Sequence, residues 1–247
     1  MAGTSGFEYR DNTEHFDAQE RMGHLTAYYS WVLDLFGDGI EFPAADAGAG
    51  SGHFAGLLRG RGGPLLLLEG GTDNLATLER RFGGDDAVEV VDCDLNACQE
   101  LLSARGVRSI FSLDVLEHLP DDQTVLRQFH AALPPGGRIY IKVPSLPALY
   151  GPVDEASGHY RRYTTRSLRA AIESAGFRVE RCRYMNLAGV PPYFLKSRVL
   201  KRQENFSRTF SEKAIARIQR AMPWIRRIDR VTGAPLGLSA VCVAVRD

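Results

Sequence analysis

Residues 46–52 are Asp46-Ala47-Gly48-Ala49-Gly50-Ser51-Gly52, an acid followed by three glycines at alternate positions. Residues 41–45 before them predict a short strand, and a helix is expected to begin at about His53. A glycine turn between a strand and a helix lets a nucleotide-like ligand approach bare backbone. The stretch therefore predicts an α/β fold with a ligand site at this turn, and a tight turn without a ligand is the alternative.

The acid and the glycine spacing separate this turn from a dinucleotide fingerprint. That fingerprint is G-x-G-x-x-G, with a pyrophosphate at the helix N-terminus. Here the third glycine, Gly52, comes one residue early. Asp46 at the strand end would repel a pyrophosphate and attract a cation. A nicotinamide oxidoreductase is therefore disfavoured.

Composition indicates one large domain. The chain has 247 residues, of which 44% are hydrophobic, enough to fill a core. We find neither an apolar run of spanning length nor the basic and apolar start of a secretory signal. The four cysteines (Cys93, Cys98, Cys182 and Cys242) form no C-x-x-C pair and no Cys/His metal spacing, so no metal is expected. These features favour a reduced, cytoplasmic protein.

Strand and helix patterns alternate through most of the chain. Strands are predicted at 41–45, 64–69, 87–91, 107–113, 138–143, 177–184 and 238–245. Helices are predicted within 13–36, from 53, and at 72–82, 96–104, 121–133 and 165–175. This alternation predicts a parallel sheet with helices on both faces, whose ligands bind beyond the carboxyl ends of the strands.

Acids follow two further strands at that edge. Glu69 ends the second strand, about 17 residues beyond Gly52, close to the separation at which an acid binds ribose hydroxyls. Asp92 ends the third strand and could accept from an adenine amino group, with Asp94 close behind it. A solvated turn acid is the alternative at this strand end.

Two further runs complete a recognisable pattern. Residues 114–119 are D-V-L-E-H-L, and residues 133–141 are L-P-P-G-G-R-I-Y-I. With the glycine turn, Glu69 and Asp92, they make residues 41–145 resemble a class I S-adenosylmethionine-dependent methyltransferase of the small-molecule methyltransferase superfamily. The resemblance implies a Rossmann-like seven-stranded sheet, mostly parallel with an antiparallel last strand and helices on both faces. It also implies an N-terminal helical lid and a helical insertion before the last strand.

The resemblance names S-adenosylmethionine as the cofactor, whose ammonium and sulfonium suit an acid at the strand end. Its contacts are expected from residues at or near the carboxyl ends of four strands: Asp46, Ala47, Gly48, Gly50, Gly52, Glu69, Gly70, Asp92, Cys93, Leu113, Asp114 and His118. For His118 a helix-cap partner is the alternative.

A second run, Asp154-Glu155-x-x-Gly158-His159-Tyr160-Arg161-Arg162-Tyr163-Thr164, resembles one that many methyltransferases of this superfamily carry after the fifth strand. The run would lie over the open end of the sheet and face the donor methyl group. His159 or His118 is the candidate for a catalytic base, since histidine has an ordinary pKa of about 6.5, and a structural His159 is the alternative. The acceptor would be bound by Tyr9, His15, Tyr28, His159, Arg162 and Tyr163. Alternatively, Arg162 and Asp154 tie the loop down, and the N-terminal aromatic residues are packing.

The charge of the chain is uneven although its net charge is zero. Residues 181–230 contain thirteen basic and three acidic residues. This insertion is interpreted first as an acceptor-side cap with a solvated basic face, then as an anionic or membrane-surface contact through residues 190–230. A nucleic-acid contact is disfavoured. We expect a single domain, 1–247, with a lid (1–40), a cofactor-binding core (41–185), a basic insertion (186–235) and a final strand (236–247).

The function expected from these features is methyl transfer to an O or N nucleophile of a small or medium-sized molecule, in a biosynthetic pathway. An acceptor that is lipid-linked or at a membrane surface is the first alternative. A non-catalytic partner protein that keeps the fold is the second.

Overall fold

The computed structural model describes Gly23, residues 25–195, Ser197 and residues 212–247. The strands are β1 (Ala44–Ala47), β2 (Leu65–Glu69), β3 (Val88–Asp92), β4 (Ser109–Leu113), β5 (Arg138–Pro144), β6 (Arg178–Met185) and β7 (Ser239–Val245). The helices are α1 (Thr26–Phe36), α2 (His53–Arg59), α3 (Thr72–Phe82), α4 (Gln99–Ala104), α5 (Asp122–Ala132), α6 (Pro152–Ala156), α7 (Thr165–Ser174), α8 (Val190–Phe194) and α9 (Glu212–Thr232).

The seven strands form one sheet in the order β3-β2-β1-β4-β5-β7-β6. Strands β1 to β5 are parallel, and β7 lies antiparallel to both β5 and β6. The predicted Rossmann-like fold is thereby confirmed. The strand order reverses between β1 and β4, and ligands of such sheets bind in the crevice at this switch point. The glycine turn after β1 lies at that crevice.

Helices cover both faces of the sheet. One face carries α4, α5 and α7, through fully buried side chains such as Leu102, Phe129 and Ile172. The other carries α1, α2, α3 and α9, with Val32 and Leu58 fully buried. Each such side chain contributes about 1.5–3 kcal/mol of hydrophobic stabilisation. The two cores make the sheet a rigid support for the loops at its carboxyl edge.

Two predicted boundaries were wrong. The first strand was expected at 41–45 but begins at Ala44, because Pro43 has no N–H to donate to a ladder. Asp46 is consequently inside the strand rather than beyond it. The helix expected at 96–104 is divided: Asp94 caps a short 3₁₀ turn, Leu95–Ala97, by accepting from the Asn96 N–H at 2.9 Å, and α4 begins only at Gln99.

The N-terminal helix and the basic insertion are described in part. Helix α1 buries Trp31 and Phe36 in the core, whereas residues 13–22 of the predicted N-terminal helices lie outside the described residues. The insertion contains α8 and α9, and residues 198–211 between them are not described. None of the described helices is long and apolar enough to cross a membrane.

Candidate functional site

The glycine turn, residues 48–52, connects β1 to α2 at the switch point. Gly48, Gly50 and Gly52 have φ angles of 79°, 54° and 80°, in the left-handed region that other residues rarely adopt. A Cβ on Gly52 would lie 2.6 Å from the ring of Phe82, so α2 and α3 approach closely only with glycine here. The turn thus presents bare backbone to the crevice between β1 and β4.

Asp46 lies inside β1 and is only 2% exposed. Its Oδ2 atom accepts no hydrogen bond from the part of the chain that the structure describes. Burial, and then the neighbouring Glu69 carboxylate, raises the pKa of Asp46 to about 7. A cation brought next to this carboxyl group would favour its ionised form. Ala47 beside it is fully buried, and its contact with the cofactor stays a prediction.

Glu69 ends β2 with its carboxylate against the glycine turn. It accepts hydrogen bonds from the backbone N–H groups of Gly50 at 2.7 Å, Gly70 at 2.9 Å and Gly71 at 2.8 Å. A carboxylate has about four acceptor sites, so three are occupied in this structure. Binding both ribose hydroxyls at Glu69, as predicted, would therefore require the bond from Gly50 to open.

The acids after β3 have different surroundings. Asp92 is exposed and is paired in register with Glu69 across β2 and β3. Asp94 instead caps the following 3₁₀ turn. Cys93 lies between them, and its pKa is raised by burial and then by Asp94 and Asp92. Asp92 therefore stays the better candidate for an adenine contact, with Cys93 beside it.

Strands β4 and β5 bring together Asp114, Lys142 and Tyr28. Asp114 follows Leu113 with a φ of 55°, an uncommon conformation for a residue other than glycine. The Lys142 ammonium forms an ion pair with Asp114 and lies 5.4 Å from the centroid of the Tyr28 ring. Burial opposes the charge on Lys142, but the Asp114 carboxylate outweighs it and raises the lysine pKa. Tyr28 thus lies beside this ion pair, and its contact with the acceptor stays a prediction.

Asp154 is the centre of a buried polar network after β5. Its Oδ1 atom binds the His159 Nδ1 at 2.9 Å and accepts from the Arg162 Nε at 2.7 Å. Its Oδ2 atom accepts from the Gly151 N–H at 3.0 Å, and Tyr193 bonds to Arg162 from the other side. Burial alone would raise the pKa of Asp154, but His159 and Arg162 lower it. The group is therefore an ionised acceptor.

An ionised Asp154 fixes the histidine tautomer. Because the carboxylate can only accept, His159 must donate from Nδ1, which leaves Nε2 for a ligand or a proton. Arg162 is 9% exposed and faces Asp154 and the Ser145 carbonyl, so the loop-tying role described for it is observed. Its binding to an acceptor stays a prediction.

Three further residues were predicted to bind the acceptor: Tyr163, Tyr9 and His15. Tyr163 is 3% exposed, and its hydroxyl donates to the Asp122 carboxylate at 2.5 Å. That bond fixes the start of α5 to the loop, so a contact of Tyr163 with the acceptor stays a prediction. Tyr9 and His15 lie outside the residues that the structure describes.

His118 and His159 meet above the carboxyl ends of β4 and β5. Their ring centroids are 4.6 Å apart, and the rings meet edge to face. Glu117 completes the cluster: it is fully buried, and burial followed by the Asp114 charge raises its pKa well above the ordinary value. The two predicted catalytic histidines are thus neighbours, although they are 41 positions apart in the sequence.

Sequence reasoning missed Glu117 and Lys142 as site residues. Glu117 was quoted within the D-V-L-E-H-L run, and its adjacency to His118 was the available signal. Lys142 interrupts the otherwise apolar strand Arg138–Pro144, and a charge inside a buried strand signals a buried partner. Neither signal names that partner.

A comparison with family models identifies the family of the chain. A family model described as a methyltransferase domain matches residues 45–181. A search of the curated proteins found no match.

Solved structures with the same fold are distant in sequence. A chain of the complex between the Haloferax volcanii Trm112 methyltransferase activator and a methyltransferase is 16% identical, with a TM-score of 0.62, covering 96% of this chain and 99% of that chain. A protein from Galdieria sulphuraria, described as a sarcosine dimethylglycine methyltransferase, is 16% identical (TM-score 0.59; 90% and 85% covered). Haemonchus contortus phosphoethanolamine N-methyltransferase 2, solved with S-adenosyl-L-methionine, is 20% identical (TM-score 0.57; 89% and 52% covered).

Proposed function

The chain belongs to the methyltransferase-domain family, and its cofactor is S-adenosylmethionine. From this we propose that it methylates an O or N nucleophile of a small or medium-sized molecule in a biosynthetic pathway. One observation carries the proposal. The buried acid Asp46 and the glycine turn lie at the same edge of the sheet as the polar cluster Glu117, His118 and His159.

The donor would lie across the switch point. Asp46 would face its positive charge, Glu69 would hold the ribose beside the glycine turn, and Asp92 would receive the adenine. Loss of the Gly50 bond to Glu69 on binding would couple ribose contact to a small movement of the turn. The methyl group would then face the cluster formed after β4 and β5.

Methyl transfer is a displacement at carbon in which the sulfonium is already a leaving group. The protein has to align the nucleophile, the methyl group and the sulfur, and alignment can contribute about 7–11 kcal/mol. Where the acceptor carries a proton, a positioned base adds about 10²–10⁴-fold. His159 Nε2 is the preferred candidate for that base because Asp154 fixes its tautomer, and His118 is the second.

The donor site is tested by its pH dependence. We expect S-adenosylhomocysteine to bind in calorimetric titration and NADH not to bind. The ammonium group of this ligand can pair with Asp46 only when Asp46 is ionised, and the pKa of Asp46 in the free protein is about 7. Affinity is therefore expected to rise by up to about tenfold per pH unit from pH 5 towards pH 7 and to level off above pH 7.

The same pKa predicts that the free protein loses stability as pH rises from about 4 to 7, because Asp46 ionises at lower pH in the unfolded chain than in the folded protein.

Asp46→Asn is the matched control, since it keeps the size of the side chain and removes its titration. The variant should bind more weakly at pH 8 and show a much flatter pH profile. An unchanged slope would assign the pH dependence to another group, and NADH binding would favour an oxidoreductase.

Incubation with methyl-labelled donor and pools of phenols, alcohols and amines tests the acceptor class. Donor binding without transfer in any pool would favour the non-catalytic partner protein.

One feature of α9 favours the alternative of an acceptor at a membrane surface. Its inner face buries Met222 and Asp229, and Asp229 accepts from the N–H groups that follow β6. Its outer face exposes Trp224, Ile228 and Val231, which are 67%, 41% and 77% exposed. These three residues lie at i, i+4 and i+7, so they form one apolar stripe on the solvent side.

Arginines lie along the same outer face. Arg217, Arg220 and Arg227 are exposed at helical spacings that place them beside Trp224. Exposed tryptophan and aliphatic residues flanked by arginines are typical of a helix that lies in the surface of an anionic membrane. The proposal would place a lipid-linked acceptor close to the insertion.

Vesicle flotation tests this alternative. We expect binding to phosphatidylcholine vesicles that contain phosphatidylglycerol, weak binding to phosphatidylcholine alone, and loss of binding at high salt. Trp224→Ser with Val231→Ser should release the protein, and Arg217→Glu with Arg220→Glu should weaken binding by about fivefold or more per arginine. Arg169→Glu, on the solvent-facing side of α7, is the control. Equal flotation of all these variants would contradict the proposal.

A further inference from the structure

Glu117 is a buried acid whose carboxylate is not hydrogen-bonded to any of the described residues. It is 0% exposed, on the 3₁₀ turn Leu116–His118 that follows β4. Within the described part of the chain, neither of its carboxylate oxygens takes part in a hydrogen bond. Burying a carboxyl group in this way is costly unless something compensates it. The nearby cations are already engaged, because Lys142 pairs with Asp114 and Arg162 pairs with Asp154.

His159 is oriented as a metal-ligating histidine would be. Its Nδ1 atom donates to the Asp154 carboxylate at 2.9 Å, so Nε2 carries the lone pair. A carboxylate that holds the far nitrogen of a histidine is the usual outer partner of a ligating imidazole, because it fixes the ring and raises its basicity. Asp154 is itself held by Arg162 and the Gly151 N–H, so the orientation of the ring is set by the fold.

The third group is His118, the neighbour of Glu117 on the same turn. One ligand atom from each of Glu117, His118 and His159 lies within 4.8 Å of the others. Ligand atoms around a zinc ion at about 2.0–2.2 Å lie roughly 3.3 Å apart. Side-chain rotations that bring the atoms up to about 1.5 Å closer would therefore complete the set.

We infer that Glu117, His118 and His159 form a binding site for a divalent transition-metal ion of the zinc type. Two imidazoles and one carboxylate are the ligands of catalytic zinc sites that keep a position open for water or substrate. The ion would neutralise the Glu117 carboxylate. Such a site differs from the metal-free protein expected from the cysteine and histidine spacing.

This inference rests on the proposed function and narrows it. A cation at the cluster would bind an oxygen of the acceptor and lower the pKa of its hydroxyl group. The histidines would then act as ligands, and the proton lost from the coordinated hydroxyl group would go to solvent water. The acceptor class becomes a molecule whose hydroxyl group can coordinate a metal ion, such as a phenol with a neighbouring oxygen.

The first test is titration of the metal-stripped full chain with Co²⁺, followed by visible absorption. We expect one Co²⁺ per chain, with the intense absorption of a low-coordinate site, and displacement by Zn²⁺. Glu117→Gln and His159→Gln should each weaken Co²⁺ binding at least about tenfold, because even an outer partner changes metal affinity by about 10–100-fold. His130→Gln is the matched control, since His130 lies on α5 against Phe177.

The outcomes separate this inference from the proposed function. No Co²⁺ binding by the wild-type chain, or equal binding by the Glu117 and His130 variants, would overturn the metal site. If a thermal melt shows that a cluster variant does not fold, the metal site is still tested by the stoichiometry of Co²⁺ binding to the wild-type chain and by displacement of Co²⁺ by Zn²⁺. Titration of the same preparation with S-adenosylhomocysteine reports on the donor site. If S-adenosylhomocysteine binds and Co²⁺ does not, only the metal inference is overturned. If S-adenosylhomocysteine does not bind, the proposed function is overturned.

Discussion

Gly48→Val is expected to abolish S-adenosylhomocysteine binding and to destabilise the protein by several kcal/mol. Two separate costs add. Gly48 has a φ of 79°, and a β-branched residue held in this region costs about 1–3 kcal/mol. A Cβ at this position would lie 2.5 Å from the Cγ2 atom of Val115, and overpacking of this kind costs about 1–3 kcal/mol more. Relief by movement of Val115 would distort the loop that leads from Asp114 to His118.

Urea unfolding and calorimetric titration of the variant measure the two effects. Gly56→Ala is the matched control, because Gly56 lies inside α2, is exposed, and a Cβ added to it would meet no described atom within 4 Å. Alanine is preferred to glycine in a helix interior by about 0.8–1.0 kcal/mol, so this variant should be unchanged or slightly more stable. Normal ligand affinity in Gly48→Val would exclude the crevice beside the glycine turn as the donor site.

Arg162→Ala is expected to lower the free energy of unfolding by about 3–5 kcal/mol. The guanidinium and the Asp154 carboxylate are both buried, and their hydrogen bond is 2.7 Å long. Removal of the arginine leaves Asp154 as a buried charge whose remaining partners are His159, the Gly151 N–H and the Tyr193 hydroxyl. Because Arg162 holds the carboxylate that orients the His159 ring, methyl transfer or Co²⁺ binding should fall with stability.

Equilibrium unfolding in urea at pH 7 checks this prediction. Arg169→Ala removes an exposed ion pair, Arg169 with Glu173 at 3.2 Å, and should cost only about 0.2–1 kcal/mol. Arg162→Lys keeps the charge but loses the planar fork, so it should lie between the wild type and Arg162→Ala. A loss for Arg162→Ala no larger than that for Arg169→Ala would show that the loop is held by its other contacts.

Local patterns in the sequence were sufficient for most of the sheet. The helix expected at 72–82 has the bounds Thr72–Phe82, and the strand expected at 64–69 is Leu65–Glu69. Both have strong local signals: helical periodicity in the first and a continuous apolar run in the second. The glycine turn was equally local, because the three left-handed residues follow one another at fixed spacing.

The site was harder to predict from the sequence because its contacts depend on strand register. Lys142 meets Asp114 because β5 pairs with β4 so that Leu113 lies opposite Lys142. The spacing of 28 residues between the two charges has no periodic signal. The same holds for Tyr193, which α8 brings to Arg162 from the other side of the loop. Propensity rules describe neighbours in sequence, and these partners are neighbours only in the folded sheet.

The position of β7 in the sheet determines when β5 and β6 can be paired as the chain is synthesised. Strand β6 joins the sheet through β7, yet β7 leaves the ribosome more than fifty residues later. While α8 and α9 are being made, β5 has an unpaired edge and β6 has no strand to pair with, and open edges of this kind favour association between nascent chains. The final strand closes both edges in one step. Substitutions that weaken β7 are therefore expected to reduce the yield of folded protein more than the stability of the molecules that complete folding.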